Sequence, residues 1–434
     1  MTSDAGPGGA AALDRSYRAL FAIPSIRRII LGMTMGRLAS SMVSVAVILF
    51  SLGHYGSPAL TGIVTFASMF PAVVASPLAG ALLDRHGRTR MVILDYLIGA
   101  STLLLIGLLA TLDLLPPWAL VAIVAVAALS NPLSNSGLRT LLPIIVPRHL
   151  WPRMNAVDSN SYVVAQLVGP PIAGALVQVA GPVVALGVIG GLLLLAAVTT
   201  IGIPEPEAAG ATTGNLMLDA RAGLAYVLHS PTLRGLAISM STLRFGSGIQ
   251  AIVMPVIVLR VIGAGPAVVG FAWGLSAVAG FVGAVLMGRV DTAGRERHIL
   301  ATFWALTALG LAFLLPADNL LLVFIAMAIT GFLNGPADVT MFTLRQRRTD
   351  PAWFGRAFAV SASFNFAGYP IGSAVAGAVV DQALAPAIVL GMAMCILGGA
   401  FAWLLIPQND LPHGAASHRT SVRNEGESML DSPR

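Results

Sequence analysis

The sequence predicts an all-α membrane protein, with 12 transmembrane helices in two six-helix bundles related by pseudo-two-fold symmetry. Three observations predict it. Of the 434 residues, 56% are hydrophobic and 10% charged, with a mean hydropathy of +0.84, which is more apolar surface than the core of a water-soluble chain could hide. Arginines fall on alternate connections between apolar runs. The second half of the chain repeats features of the first at offsets of 203 and 207 residues.

A helix needs roughly 20 residues to cross the hydrocarbon core. Residues 1–25 mix Asp4, Asp14, Arg15 and Arg18 with glycine and read as a cytoplasmic tail, not a cleavable leader, so the first span is expected to stay as an anchor. Apolar runs follow at 27–52, 59–83, 91–112, 117–139, 155–180 and 182–203, giving a first bundle over 26–203. Pro204, Glu205, Pro206 and Glu207 break the pattern, and with the amphipathic stretch Leu216 to Leu228 they make residues 204–230 a cytoplasmic linker. The runs 232–261, 266–289, 298–315, 319–344, 355–381 and 384–406 form a second bundle over 231–406. Residues 407–434 are a polar C-terminal tail.

All 25 basic residues are arginine, and all but Arg37, Arg244 and Arg260 lie in the tails, the linker or the connections on one side. Positive residues stay cytoplasmic, so both termini are expected inside, in a bacterial inner membrane. The net charge of +6 and pI near 10.2 are therefore topology signals and not a nucleic-acid footprint. Cys395 is the only cysteine, so a disulfide or cysteine-based metal site within the chain is excluded. With no lysine there is no phosphate-binding glycine–lysine loop, and no nucleophile elbow or His-Glu-x-x-His helix occurs. An enzyme is not expected, and neither is a cofactor or metal.

Pro24, Arg27 and Arg37 recur as Pro231, Arg234 and Arg244, and Asp84, Gly87, Arg88 and Arg90 recur as Asp291, Gly294, Arg295 and Arg297, all 207 positions on. Arg153, Ala156, Gly169 and Gly174 match Arg356, Ala359, Gly372 and Gly377 at offset 203. A parallel six-plus-six repeat encloses a cavity at mid-bilayer depth.

The connection after the second span runs Gly80-Ala-Leu-Leu-Asp84-Arg85-His86-Gly87-Arg88-Thr89-Arg90. It resembles the G-x3-D-R-x-G-R-x-R loop of the major facilitator superfamily, and loop, repeat and span count carry the resemblance over essentially the whole chain. The resemblance implies a cytoplasmic gate of Gly80, Asp84, Arg85, Gly87 and Arg88, with Arg139 and Arg356 as partners for Asp84. In the fifth span, Gly169, Pro170 and Gly174, with Ala165 and Ala173 in place of two glycines, resemble the helix motif of the drug and proton antiporter branch. The stretch Leu141 to Asp158 is similar to the exporters that include macrolide and siderophore efflux proteins.

Arg37 and Arg244 lie about ten residues inside the first and seventh spans. An arginine at that depth costs at least ~2.5 kcal/mol, so both should face the cavity, to attract an anion or to pair with buried carboxylates. Asp338, the one acid placed near mid-membrane, is the proton carrier candidate. Asn131, Asn135, Gln250, Asn365 and Tyr369 complete the expected cavity lining, and for Gln250, Asn365 and Tyr369 helix packing is the plainer role. The resemblance implies proton-coupled efflux of a small amphipathic or lipophilic molecule by a monomer in the lipid bilayer. Uptake of a nutrient or organic anion, or a non-transporting sensor, are the alternatives.

Overall fold

The computed structural model describes residue 14 and residues 16–204, 216–350 and 354–408, and no strand occurs among them. In the first half the helices are α1 (Tyr17–Ala22), α2 (Ile26–Tyr55), α3 (Pro58–His86), α4 (Arg88–Thr111), α5 (Pro117–Ala128), α6 (Asn131–Ile145), α7 (Trp151–Ala180) and α8 (Pro182–Thr200). The second half has α9 (Leu216–His229), α10 (Pro231–Val256), α11 (Pro266–Met287), α12 (Glu296–Ala312), α13 (Leu320–Arg348), α14 (Phe354–Val380) and α15 (Leu384–Leu405).

Among the described residues, ten helical segments are long and apolar enough to cross a membrane. Of the other two runs expected to span, the ninth falls about one turn short: α12 has 17 residues and opens with Glu296, Arg297 and His298. The eleventh is the 27-residue helix α14, whose apolar stretch includes Ala367–Val380. The fourth run breaks between α5 and α6 because Pro132 has no N–H for the preceding turn, while proline is well placed in the first turn of the helix that follows. Pro255 likewise precedes a π turn at Ile257–Val261 that ends the α10 span.

The repeat extends to individual hydrogen bonds. Arg27 Nε donates to the Phe21 carbonyl at 3.1 Å, and 207 positions on Arg234 Nη1 donates to the Leu228 carbonyl at 3.2 Å. Each half thus fastens a short helix to the start of its first long one. Gly87 and Gly294 both turn the chain at positive φ, 91° and 72°, a conformation open to glycine and strained for other residues.

Within the halves, α2 packs on α7 and α8, and α10 packs on α14 and α15. Between them, α3 lies against α14 and α7 against α11. Both inter-half crossings are glycine on glycine. A Cβ added at Gly62 or at Gly174 would sit 3.0 Å from the Cα of Gly377 or Gly270. These contacts lie toward the end of the molecule opposite the termini, called here the distal end.

Burial follows the same asymmetry. Val45 to Leu52 on α2, and Gly248 to Val258 along α10 and into the π turn, are buried at every position, whereas the other halves of both helices alternate buried and more exposed residues. The bundles are closed distally. The halves of α2 and α10 that carry Arg37 and Arg244 are the less buried ones.

Candidate functional site

Arg37 is held on three sides. Its Nη2 lies 2.7 Å from Asp158 Oδ1, its Nη1 donates to the Asp158 carbonyl at 2.7 Å and to Ser161 Oγ, and its guanidinium stands 5.9 Å from the Tyr162 ring centre. The pair is enclosed, with side chains 15% and 5% exposed. Arg139 directs Nε to Asp158 Oδ2 at 3.2 Å; the Asp84 side chain, its expected partner, lies outside the described residues. One carboxylate of α7 thus joins α2 and α6. Charge placed this deep is tolerated when paired, and Arg37 is paired.

The pair at the second arginine is wider. Arg244 Nη2 approaches Asp338 Oδ1 at 3.4 Å, and here the carboxylate is the open member, 42% exposed against 19% for the arginine. A carboxylate with one wide pairing can change partner more readily than Asp158, which lies between two arginines.

The remaining expected residues divide. On α6, Asn131, Asn135 and Arg139 recur every four residues as an exposed polar stripe, opposite buried Pro132, Leu133, Leu138 and Leu142. Asn135 Nδ2 donates to the Asn131 carbonyl at 3.1 Å. Gln250 departs from the expected lining. It is 5% exposed and its amide donates to Thr330 Oγ1 at 3.0 Å, so it fastens α10 to α13. Asn365 is 2% exposed and also packs between helices, with its amide oriented to donate to the Ser361 carbonyl and accept from Arg345. Tyr369 is half-buried on α14, between Gly368 and Gly372, where α14 closes on the Ser241 and Phe245 carbonyls of α10.

In the loop motif, Gly80 has open space around it, Arg85 is exposed and Gly87 makes the turn into α4. Arg88 begins α4 and is half-buried. The side chains of Asp84 and Arg356 lie outside the described residues. The degraded copy is visible: Asp291 stands 3.8 Å from Arg347, which also holds Glu296 at 2.7 Å, all in the second half. Gly169 lets α7 lie against α2, since a Cβ there would meet Ser41 Oγ, and the Pro170 carbonyl faces Gly270 of α11.

Sequence reasoning placed Asp158 in the fifth span without giving it to Arg37. It also missed Arg345, 1% exposed on α13 with Phe342 5.9 Å from its guanidinium. A cavity of about 280 Å³ lies at the distal face between Leu49, Val177, Val256, Arg260 and Pro266, and one of about 490 Å³ between α11, α12 and α13 is apolar throughout. Neither contains Arg37 or Arg244.

Residues 17–431 match the family model described as transmembrane secretion effector. An uncharacterised MFS-type transporter, y4rN of Sinorhizobium fredii, is 37% identical over 399 residues, covering 92% of this chain and 98% of the relative. The multidrug efflux pump Tap of Mycolicibacterium fortuitum is 26% identical over 362 residues, covering 80% and 87%. Among solved structures, a bacterial homologue of the human lysosomal transporter Spinster, in an inward-facing and unoccupied conformation, superposes with a TM-score of 0.68 at 14% identity over 91% of this chain and 98% of that one.

Proposed function

The chain belongs to the transmembrane secretion effector family of major facilitator transporters, and from that premise we propose that it exports small amphipathic or lipophilic compounds, drug- or siderophore-like, by proton-coupled alternating access. Family membership makes it a membrane transporter and not an enzyme. The efflux activity named for the Tap relative supports the direction of transport. The observation that carries the coupling is Asp338: a carboxylate within a membrane-spanning helix whose side chain is 42% exposed and stands 3.4 Å from Arg244. Protonation would remove the negative charge facing Arg244 and change the charge of the cavity, which lets one site respond to both proton and substrate.

The bundles rock about the space between α2, α6, α7, α10, α13 and α14, with Arg37, Arg244, Asn131, Asn135, Asp338 and Tyr369 at its borders. Asp84, Arg85, Arg88 and Arg356 form the gate at the end carrying the termini. The protein works as a monomer in the bacterial inner membrane with both termini cytoplasmic. Anion uptake through paired arginines loses its support, because Arg37 is committed to Asp158.

The test is transport in proteoliposomes with an imposed pH gradient and a panel of fluorescent dyes and macrolides. Wild-type protein should drive uptake of at least one compound into vesicles of the efflux orientation. Asp338→Asn should abolish gradient-driven flux and keep exchange down a substrate gradient. Gradient-driven flux at wild-type rate in Asp338→Asn would sink the carrier assignment.

A further inference from the structure

The distal closure is built twice, and its two halves can be superimposed residue by residue. In one half, Gly174 of α7 crosses Gly270 of α11, and four residues beyond the glycine Gln178 Oε1 accepts a hydrogen bond from the Ala267 N–H at 3.0 Å. In the other, Gly377 of α14 crosses Gly62 of α3, and four residues beyond it Asp381 Oδ2 accepts from the Ala59 N–H at 3.3 Å. Gln178 and Asp381 are 203 positions apart, as are Gly174 and Gly377, while Ala59 and Ala267, like Gly62 and Gly270, are 208 apart.

Each acceptor does the work of a helix cap from the opposite bundle. Ala59 and Ala267 are the second residues of helices that begin at Pro58 and Pro266, where backbone N–H groups have no partner within the helix. The residue before Pro266 is Gly265, which has no side chain to cap α11, and a Cβ there would collide with Gln178. The second half carries an added tie. Arg260, at the end of the α10 span, reaches across to the Gly56 carbonyl of α2 and stands 3.8 Å from Asp381.

We propose that Gln178 and Asp381 are the paired gating residues of the distal face, each capping the first turn of a helix in the other bundle, and that both caps must release for the bundles to part there. The glycine crossings bring the helices close enough for the caps to reach, and Arg260 braces the second cap. Gln178 is exposed and Asp381 is 40% exposed, so neither is needed for the core. This inference rests on the rocking-bundle reading, but its test needs no substrate, so a failed transport assay leaves it standing.

Spin labels at Leu114→Cys and Leu321→Cys, exposed distal positions in the two halves, report the gate by pulsed dipolar distance measurement in a Cys395→Ala background. The wild-type gate should give mainly the closed distance. A cap replaced by alanine weakens a helix by about fivefold in its equilibrium, so Gln178→Ala or Asp381→Ala should each raise the open fraction by about that factor, and the double variant by more. Asp381→Gln, which copies the acceptor of the other half, should restore closure. Unchanged distances in the double alanine variant would overturn the proposal. So would an Asp381→Gln gate as open as Asp381→Ala, because charge, and not capping, would then hold it.

Discussion

Asp158 accepts both Arg37 at 2.7 Å and Arg139 at 3.2 Å, so a single carboxylate on α7 holds two arginines from α2 and α6. Asp158→Ala leaves Arg37 in an enclosed position without its counter-charge, a change that costs about 3 kcal/mol when a buried pair is broken on one side. Thermal unfolding in detergent should show it. Replacing both members, Arg37→Met with Asp158→Leu, should recover most of the loss; a double variant as unstable as Asp158→Ala would mean that the pair contributes more than charge balance.

Gly169 and Ser41 form a tighter kind of contact. A Cβ at Gly169 would overlap Ser41 Oγ, whose hydroxyl donates to the Ala165 carbonyl at 2.7 Å. Gly169→Ala should therefore destabilise by about 1–3 kcal/mol through overpacking. Ser41→Gly should return much of it in the double variant. Additive losses in that cycle would place the clash elsewhere.

The two glycines of the loop motif should part company under substitution. Gly87 holds φ at 91°, where an alanine is strained by about 1 kcal/mol or more. Gly80 is helical with nothing within 4 Å of an added Cβ, so Gly80→Ala should be neutral or stabilise by up to about 1 kcal/mol. Equal losses at both positions, read from melting temperatures, would contradict this division.

How much was legible in the sequence depends on which physical term dominates at each residue. Spans are set by the bilayer, and a run such as 182–203 has no soluble alternative, so it folds as the helix α8. Glu296 to His298 shorten α12 because charged residues at a helix start reduce the apolar length, and Glu296 has its own partner in Arg347. The depth of Arg37 showed that it must be satisfied, but Asp158 is 121 residues away and only the fold brings the two together. Gln250 and Asn365 were ambiguous for another reason: in lipid, a polar side chain that lines a cavity and one that binds the next helix look alike in one dimension. The cap pair Gln178 and Asp381 was hidden because a glutamine and an aspartate do the same work at equivalent positions, and identity matching passes over them.

Arg244 and Asp338 supply the last contrast. Their separation is 3.4 Å and the carboxylate is 42% exposed, whereas Asp158 is 5% exposed at 2.7 Å from Arg37. The wider, more exposed pair is expected to hold less, about 0–1 kcal/mol as for exposed pairs. Asp338→Ala should thus lower stability by less than about 1 kcal/mol, well below the loss at Asp158→Ala, although the two acids serve arginines at equivalent positions of the repeat. If Asp338→Ala proves as destabilising as Asp158→Ala in parallel thermal unfolding, Asp338 is a structural partner of Arg244, and its availability for coupling falls with it.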